Sequence, residues 1–228
     1  NTMGLPTSDA AVTLQALALA KRMREEKGFK VQIVCYDYSD ADYEGIISVD
    51  QGYKTATEEV PAINFTATMA GITAGSYVNQ SNTYRVIEGA VDILPPKADA
   101  EIESGLSLGK LMLSRLIDGA IVVEKDIYTL VNFCTDTSYY FTNNRVIRTL
   151  DDIAMWVLTN FSVSYIGKVD SNNDGLNLLR GDIIGYMTLL QSINAIKNFV
   201  SPNDIEVVSG TDQESVIACL AIQPVDSM

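Results

Sequence analysis

The stretch from Thr7 to Tyr36 limits the possible folds more than any other part of the chain. Thr7-Ser8-Asp9 offers an N-cap to an alanine- and leucine-rich run in which Val12, Ala16, Leu19, Ala20 and Met23 keep helical spacing. Basic residues gather toward its end at Lys21, Arg22 and Arg24, where they suit the negative pole of the helix dipole, and Gly28 is a natural stop. Val31 to Tyr36 follows as a β-branched run of strand length. A capped helix, a glycine and an apolar strand in immediate succession form half of an α/β layer.

The pattern continues downstream. Ile46 to Val49 reads as a second strand ended by Gln51-Gly52, and Pro61 to Ala74 as a helix in which Gly71 and Gly75 permit close packing. Tyr84 to Ile87 reads as a short strand, Pro95-Pro96 as a break, Ala98 to Ile117 as a helix, and Ala120 to Glu124 as a strand. Near the end, Asn143 or Asn144 caps a helix with an apolar face of Ile147, Leu150, Ala154, Val157 and Phe161. A polar loop, Asp170 to Asp174, leads to a second helix carrying Leu179, Ile183, Tyr186, Leu190 and Ile193. Ile205 to Val208 and Val216 to Ile222 read as strands around a Gly210-Thr211-Asp212 turn, the second apolar on both faces. The fold class is therefore mixed α/β. An α/β layered domain occupies residues 1–138 and a compact α+β domain of two helices on a small sheet occupies 139–228. No internal repeat interrupts this order.

A chain of 228 residues with 47% hydrophobic and 20% charged residues can build a real core. A net charge of -13 without an extended basic run excludes a phosphate-binding footprint, so neither nucleic acid nor membrane insertion is expected. No apolar stretch is long enough to span a bilayer, and no secretory signal is present. Cys35, Cys134 and Cys219 each sit in an apolar run, as reduced thiols used as small core residues would. The chain opens on Asn1 and closes on Val225-Asp226-Ser227-Met228, and reads as an interior part of a longer polypeptide.

Histidine is absent, which removes the usual general base and with it Ser-His-Asp and Cys-His catalysis. Gly105-Leu106-Ser107-Leu108-Gly109 matches the nucleophile-elbow string, yet the elbow needs a strand before its serine, and Ser107 lies in a helical stretch. Ser107 and Lys110 also form Ser-x-x-Lys, without the companion strings of the penicillin-binding enzymes. Asp170 to Gly175 resembles half an EF-hand loop, but the bidentate glutamate position holds Gly181. Asp151-Asp152 suits a helix dipole better than paired acid chemistry, and Trp156 suits a core. Tyr139 to Phe141 is a candidate interface patch. No phosphate-cradling glycine loop occurs. No catalytic, cofactor-binding or metal residue is assigned, and no cofactor is expected.

Several strings carry a family resemblance in the right order. Arg145 to Asp151, Tyr165 to Val169 and Ile222 to Met228 resemble the C-terminal domain of contractile phage tail sheath proteins, of the kind found in Gram-positive prophages and phage-like particles. Tyr43 to Val49, Ala74 to Ser76, Asn79 to Tyr84 and Val123 to Ile127 resemble the preceding α/β sheath domain, which has a subtilisin-like fold. The resemblance implies a non-enzymatic virion component, assembled in the bacterial host cytoplasm as stacked six-membered rings around a tail tube. It also implies contact with baseplate and terminator proteins, contraction without nucleotide hydrolysis, and linkage of subunits by strands exchanged between neighbours. Family chains start before Asn1 and continue past Met228 with a further strand. Another self-assembling or adaptor protein and a serine-type α/β hydrolase through Ser107 are the alternatives. Tubes seen by electron microscopy, or labelling of Ser107 by a fluorophosphonate, separate them.

Overall fold

Asp9 starts the first helix as its position suggests. Its backbone is extended and its carboxylate accepts the Ala11 amide at 2.8 Å. The computed structural model describes every residue except Asp136, Pro202, Gln213, Glu214 and Met228. Strand β1 (Thr2–Leu5) precedes helix α1 (Ala10–Lys21), which widens through Arg22–Glu26 before Gly28 at a φ of 71°. Strands β2 (Gln32–Tyr36) and β3 (Ile46–Val49) follow. Two compact units divide the chain, residues 1–147 with Asp226 and Ser227, and residues 148–225.

In the first unit a parallel sheet forms in the order β1-β2-β3-β7, its last strand being the short pair Lys110–Leu111. Alternate residues of β2 and β3 go to opposite faces. Ile33, Cys35 and Ile46 pack with Ala16 and Ala20 of α1, whereas Val34, Ile47 and Val49 join a core with Phe65 and Met69. Burial on both faces accounts for the unbroken apolar run that reads as a strand in sequence. The β2–β3 connection is shorter than the dozen or so residues of a usual parallel crossover. Two aspartates in the left-handed region, Asp37 and Asp42, each with φ 42°, turn it.

Strands β4 (Gly52–Thr55) and β5 (Glu59–Val60) lead into α2 (Ala62–Gly75), and β6 (Ala90–Leu94) completes an antiparallel sheet in the order β5-β4-β6. Helix α3 (Asp99–Ser107) is followed by β7 and a hairpin of β8 (Leu113–Arg115) and β9 (Ile121–Val123).

Four expectations need correction. The helix read from Ala98 to Ile117 stops at Ser107, because Gly109 takes φ 74° with its α-carbon against Thr129, where an added Cβ would lie 2.8 Å from the Thr129 Cα. The run Tyr84 to Ile87 makes only the isolated bridge Val86–Val122. On α1 the buried residues are Thr13, Ala16 and Ala20, while Val12 and Leu19 face outward. Gly71 and Gly75 have open space where a Cβ would be; the close approach to α2 belongs instead to Gly4 of β1, whose Cβ would sit 2.8 Å from the Thr66 carbonyl oxygen.

Helix α4 (Asn144–Asn160) begins in the first unit, where Ile147 joins the core, and continues into the second. Within the second unit α5 (Asn173–Ser192) is capped by Asn172, whose side chain accepts the Gly175 amide at 2.9 Å. Leu179, Ile183, Met187 and Leu190 are buried. Trp156 is half-buried rather than in the core its sequence context suggests, and stacks on Tyr186 with ring centroids 4.1 Å apart. Strands β10 (Ile196–Lys197) and β13 (Gln223–Pro224) pair, and β11 (Ile205–Ser209) with β12 (Val216–Leu220) makes an antiparallel hairpin.

Candidate assembly surfaces

The residues that sequence motifs offer for catalysis are held in other ways. Ser107 closes α3 and donates its hydroxyl to the Ser104 carbonyl at 2.7 Å. Lys110 binds Asp37 at 2.6 Å and Asp50 at 3.2 Å. Burial works against its ammonium, but the bonds to Asp37 and Asp50 outweigh this and hold its pKa above the ordinary lysine value. A serine turned to its own helix and a lysine kept protonated do not make a nucleophile and base. Asp152 accepts the Tyr186 hydroxyl, and burial followed by this bond pushes the phenol pKa upward. Among the described residues no group of three or more histidine, cysteine or acidic side chains is arranged to hold a metal. Cys35 is buried, and burial pushes its thiol up to about 11. Cys134 and Cys219 are exposed, against the expectation that all three serve the core, because Cys134 lies in an irregular segment and Cys219 on the outward side of a two-stranded hairpin.

The strings that carry the resemblance in the first unit meet in space. Asp126, 2% exposed, accepts the Asn82 amide at 3.2 Å and the Asn144 side-chain amide at 2.9 Å. Asn82 accepts from Ser76 at 2.7 Å and from Arg85 at 3.1 Å, and Tyr128 donates to Asn144 at 2.8 Å. Asn143 donates its side-chain amide to Asp226. A buried, mutually bonded polar cluster specifies how separate segments join. A second tie is Asp42, whose Oδ1 accepts the amides of Val131 and Asn132 at 2.8 and 3.0 Å and whose Oδ2 accepts the Asn132 side-chain amide at 2.9 Å. Desolvation raises the Asp42 pKa, but those bonds outweigh it and hold the carboxyl below its ordinary value.

In the second unit the β11–β12 sheet has two strands, so the backbone groups along its outer edges have no strand partner among the described residues. Between β12 and α4 runs an open apolar groove of about 440 Å³, lined by Leu150, Ala154, Val157, Leu220 and Ile222 among others. The apolar face read in sequence lines this groove with Leu150, Ala154, Val157 and Phe161, whereas Ile147 belongs to the core of the first unit.

Comparison with known proteins gives the relatives of the chain as a whole. The profile of the phage tail sheath protein central domain matches residues 1–129, and that of the phage tail sheath C-terminal domain matches residues 136–228. Phage-like element PBSX protein XkdK of Bacillus subtilis (strain 168) is 35% identical over 219 residues, covering 92% of this chain and 47% of its own length. A crystal structure of a sheath tail protein from Desulfitobacterium hafniense superposes with a TM-score of 0.92 at 40% identity, covering all of this chain and 54% of that one. The helical sheath of the anti-feeding prophage in its contracted state shares the fold at a TM-score of 0.73 and 11% identity, covering 100% of this chain and 67% of that one. The chain spans about half the length of its curated Bacillus relatives.

Proposed function

Because this chain belongs to the phage tail sheath family, we propose that it is the central and C-terminal portion of a contractile tail sheath subunit. Such a subunit polymerises as stacked hexameric rings around a tail tube and contracts to drive the tube through the host envelope. The observation that carries the reading is the β11–β12 hairpin, a two-stranded sheet with open edges beside an apolar groove. An extended segment from a neighbour would add a strand there, with affinity from main-chain hydrogen bonds and apolar side chains filling the groove. Its partners are then further copies of itself, a tail tube protein, and baseplate and terminator proteins, and its place is the phage tail, built in the host cytoplasm. The work of contraction would come from changed subunit contacts, so no enzymatic step is required. Electron microscopy of the full-length protein tests this: hollow tubes or stacked six-fold rings are expected, and discrete small oligomers overturn it.

A further inference from the structure

Lys125 is a partly buried cation, in a chain of net charge -13, for which the fold supplies no countercharge. Its ammonium lies 4.9 Å from the centroid of the Tyr139 ring and donates to the hydroxyl of the same side chain. A phenol offers a lone pair and a π face but no negative charge. Among the described residues no carboxylate lies within salt-bridge distance of Lys125, whereas Lys54, Lys97, Lys110 and Arg115 each hold one. The acids on either side of it in sequence are engaged elsewhere. Glu124 accepts from Tyr84 at 3.2 Å and from Ser114, and Asp126 binds Asn82 and Asn144.

Two cavities of the first unit open on this side chain, and they differ in chemistry. One, of about 280 Å³, is also lined by Glu124, Asp126 and Asp226, so an anion entering it would meet three carboxylates against Lys125 and Arg145. The other, of about 250 Å³, has no acid in its lining. Leu106, Ile127, Val131 and Phe133 form its apolar wall, and Phe133 and Tyr139 stand edge to face with centroids 6.3 Å apart. The other hydroxyls in the lining are turned to the backbone: Ser107 donates to the Ser104 carbonyl at 2.7 Å and Thr142 to the Leu130 carbonyl at 3.0 Å. Lys125 and the Tyr139 hydroxyl therefore make the polar end of an apolar, partly aromatic cavity, the common build of a small-ligand site. A cation would be repelled there, and an inorganic anion would leave the apolar wall uncovered. We infer that this cavity binds a carboxylate borne on a small apolar group, with the carboxylate on Lys125 and the group against Phe133 and Tyr139. A free organic acid and an acidic residue or chain end of a polypeptide both offer that chemistry.

Saturation-transfer NMR on the full-length, unassembled protein tests the site, with phenylacetate and the neutral phenylacetamide as probes. Phenylacetate should receive the stronger transfer. Lys125→Met, which keeps the apolar stem and removes the charge, should weaken its binding about tenfold or more, to the level of the amide. Footprinting of the unsubstituted protein with a lysine-acetylating reagent needs no variant to fold: phenylacetate should protect Lys125 and leave the exposed Lys27 as reactive as before. Repeating the NMR on assembled polymer separates the two sources. Transfer kept in the polymer assigns the site to a free acid. Transfer lost on assembly, with carbodiimide coupling of Lys125 to an acid of another copy, assigns it to a polypeptide. Equal transfer to acid and amide, binding unchanged by Lys125→Met, or a Lys125 that phenylacetate does not protect overturns the inference.

Discussion

Asp42 shows how one side chain can hold distant sequence together while leaving little trace in a motif search. It sits at φ 42° and anchors residues 131 and 132 through three hydrogen bonds, a placement that no local pattern announces. Asp42→Gly removes the carboxylate without the strain alanine would meet at that φ. With the site close to solvent, the loss should be on the order of 1 kcal/mol in urea denaturation at neutral pH. Because the folded pKa is depressed, the contribution is present above the unfolded value of about 3.9 and is lost as pH falls through the folded pKa. The gap between the parent and Asp42→Gly should therefore close below about pH 3.9. Glycines give a sharper contrast. A Cβ at Gly52 would lie 2.1 Å from the Val60 carbonyl oxygen, a backbone atom that cannot move aside, so Gly52→Ala should cost about 3 kcal/mol or more. At Gly71 a Cβ meets nothing within 4 Å, and Gly71→Ala in mid-helix should stabilise by about 0.5–1 kcal/mol. Thermal melts of the pair should move in opposite directions.

Elements are legible where local and tertiary preferences agree. Strands β2 and β3 announce themselves because both faces are buried, and α5 because its core residues repeat at helical spacing. The hairpin β8–β9 stays hidden although Asp118-Gly119 between apolar runs is a hairpin signal, because the helical spacing from Ala98 onward runs across Gly109 into strand. Val12 and Leu19 mislead for a related reason: α1 is apolar nearly all round, so spacing alone cannot tell which stripe meets the sheet. The groove beside β12 is half legible, as the apolar faces of α4 and β12 read in sequence, but their convergence does not. If β12 receives a strand from a neighbour, its outward thiol reports it. In the unassembled full-length chain Cys219 should react with iodoacetamide while Cys35 does not; in the polymer Cys219 should become protected. Equal labelling of Cys219 in both states would place the added strand elsewhere.

At the scale of the whole chain, each compact unit holds its own buried side chains, and the segment before α4 holds few. Phe65, Met69, Ile121 and Tyr128 serve the first unit, and Leu179, Ile183, Met187 and Leu190 the second. From Asn132 to Thr135 and again at Ser138 to Tyr140 the chain is exposed, and it includes Phe133 at 42%, Tyr139 at 56% and Tyr140 at 63%. The two family profiles leave residues 130–135 unmatched, which takes in the first of these exposed runs, while Ser138 to Tyr140 fall within the C-terminal profile. Exposed backbone with few buried contacts is where a protease gains entry, whereas residues inside either core require that unit to open first. Brief chymotrypsin digestion should thus cut after Phe133, Tyr139 or Tyr140 before any site in α2 or α5, and mass spectrometry should find two long fragments meeting there. The cut lies within the first unit, but Ile147 in its core and Asn144 bonded to Asp126 and Tyr128 should hold the two fragments together, so the far-ultraviolet circular dichroism of the nicked chain should match that of the intact chain. Early cleavage at Phe65 or Tyr186 instead would mean that one unit opens more readily than its buried side chains imply.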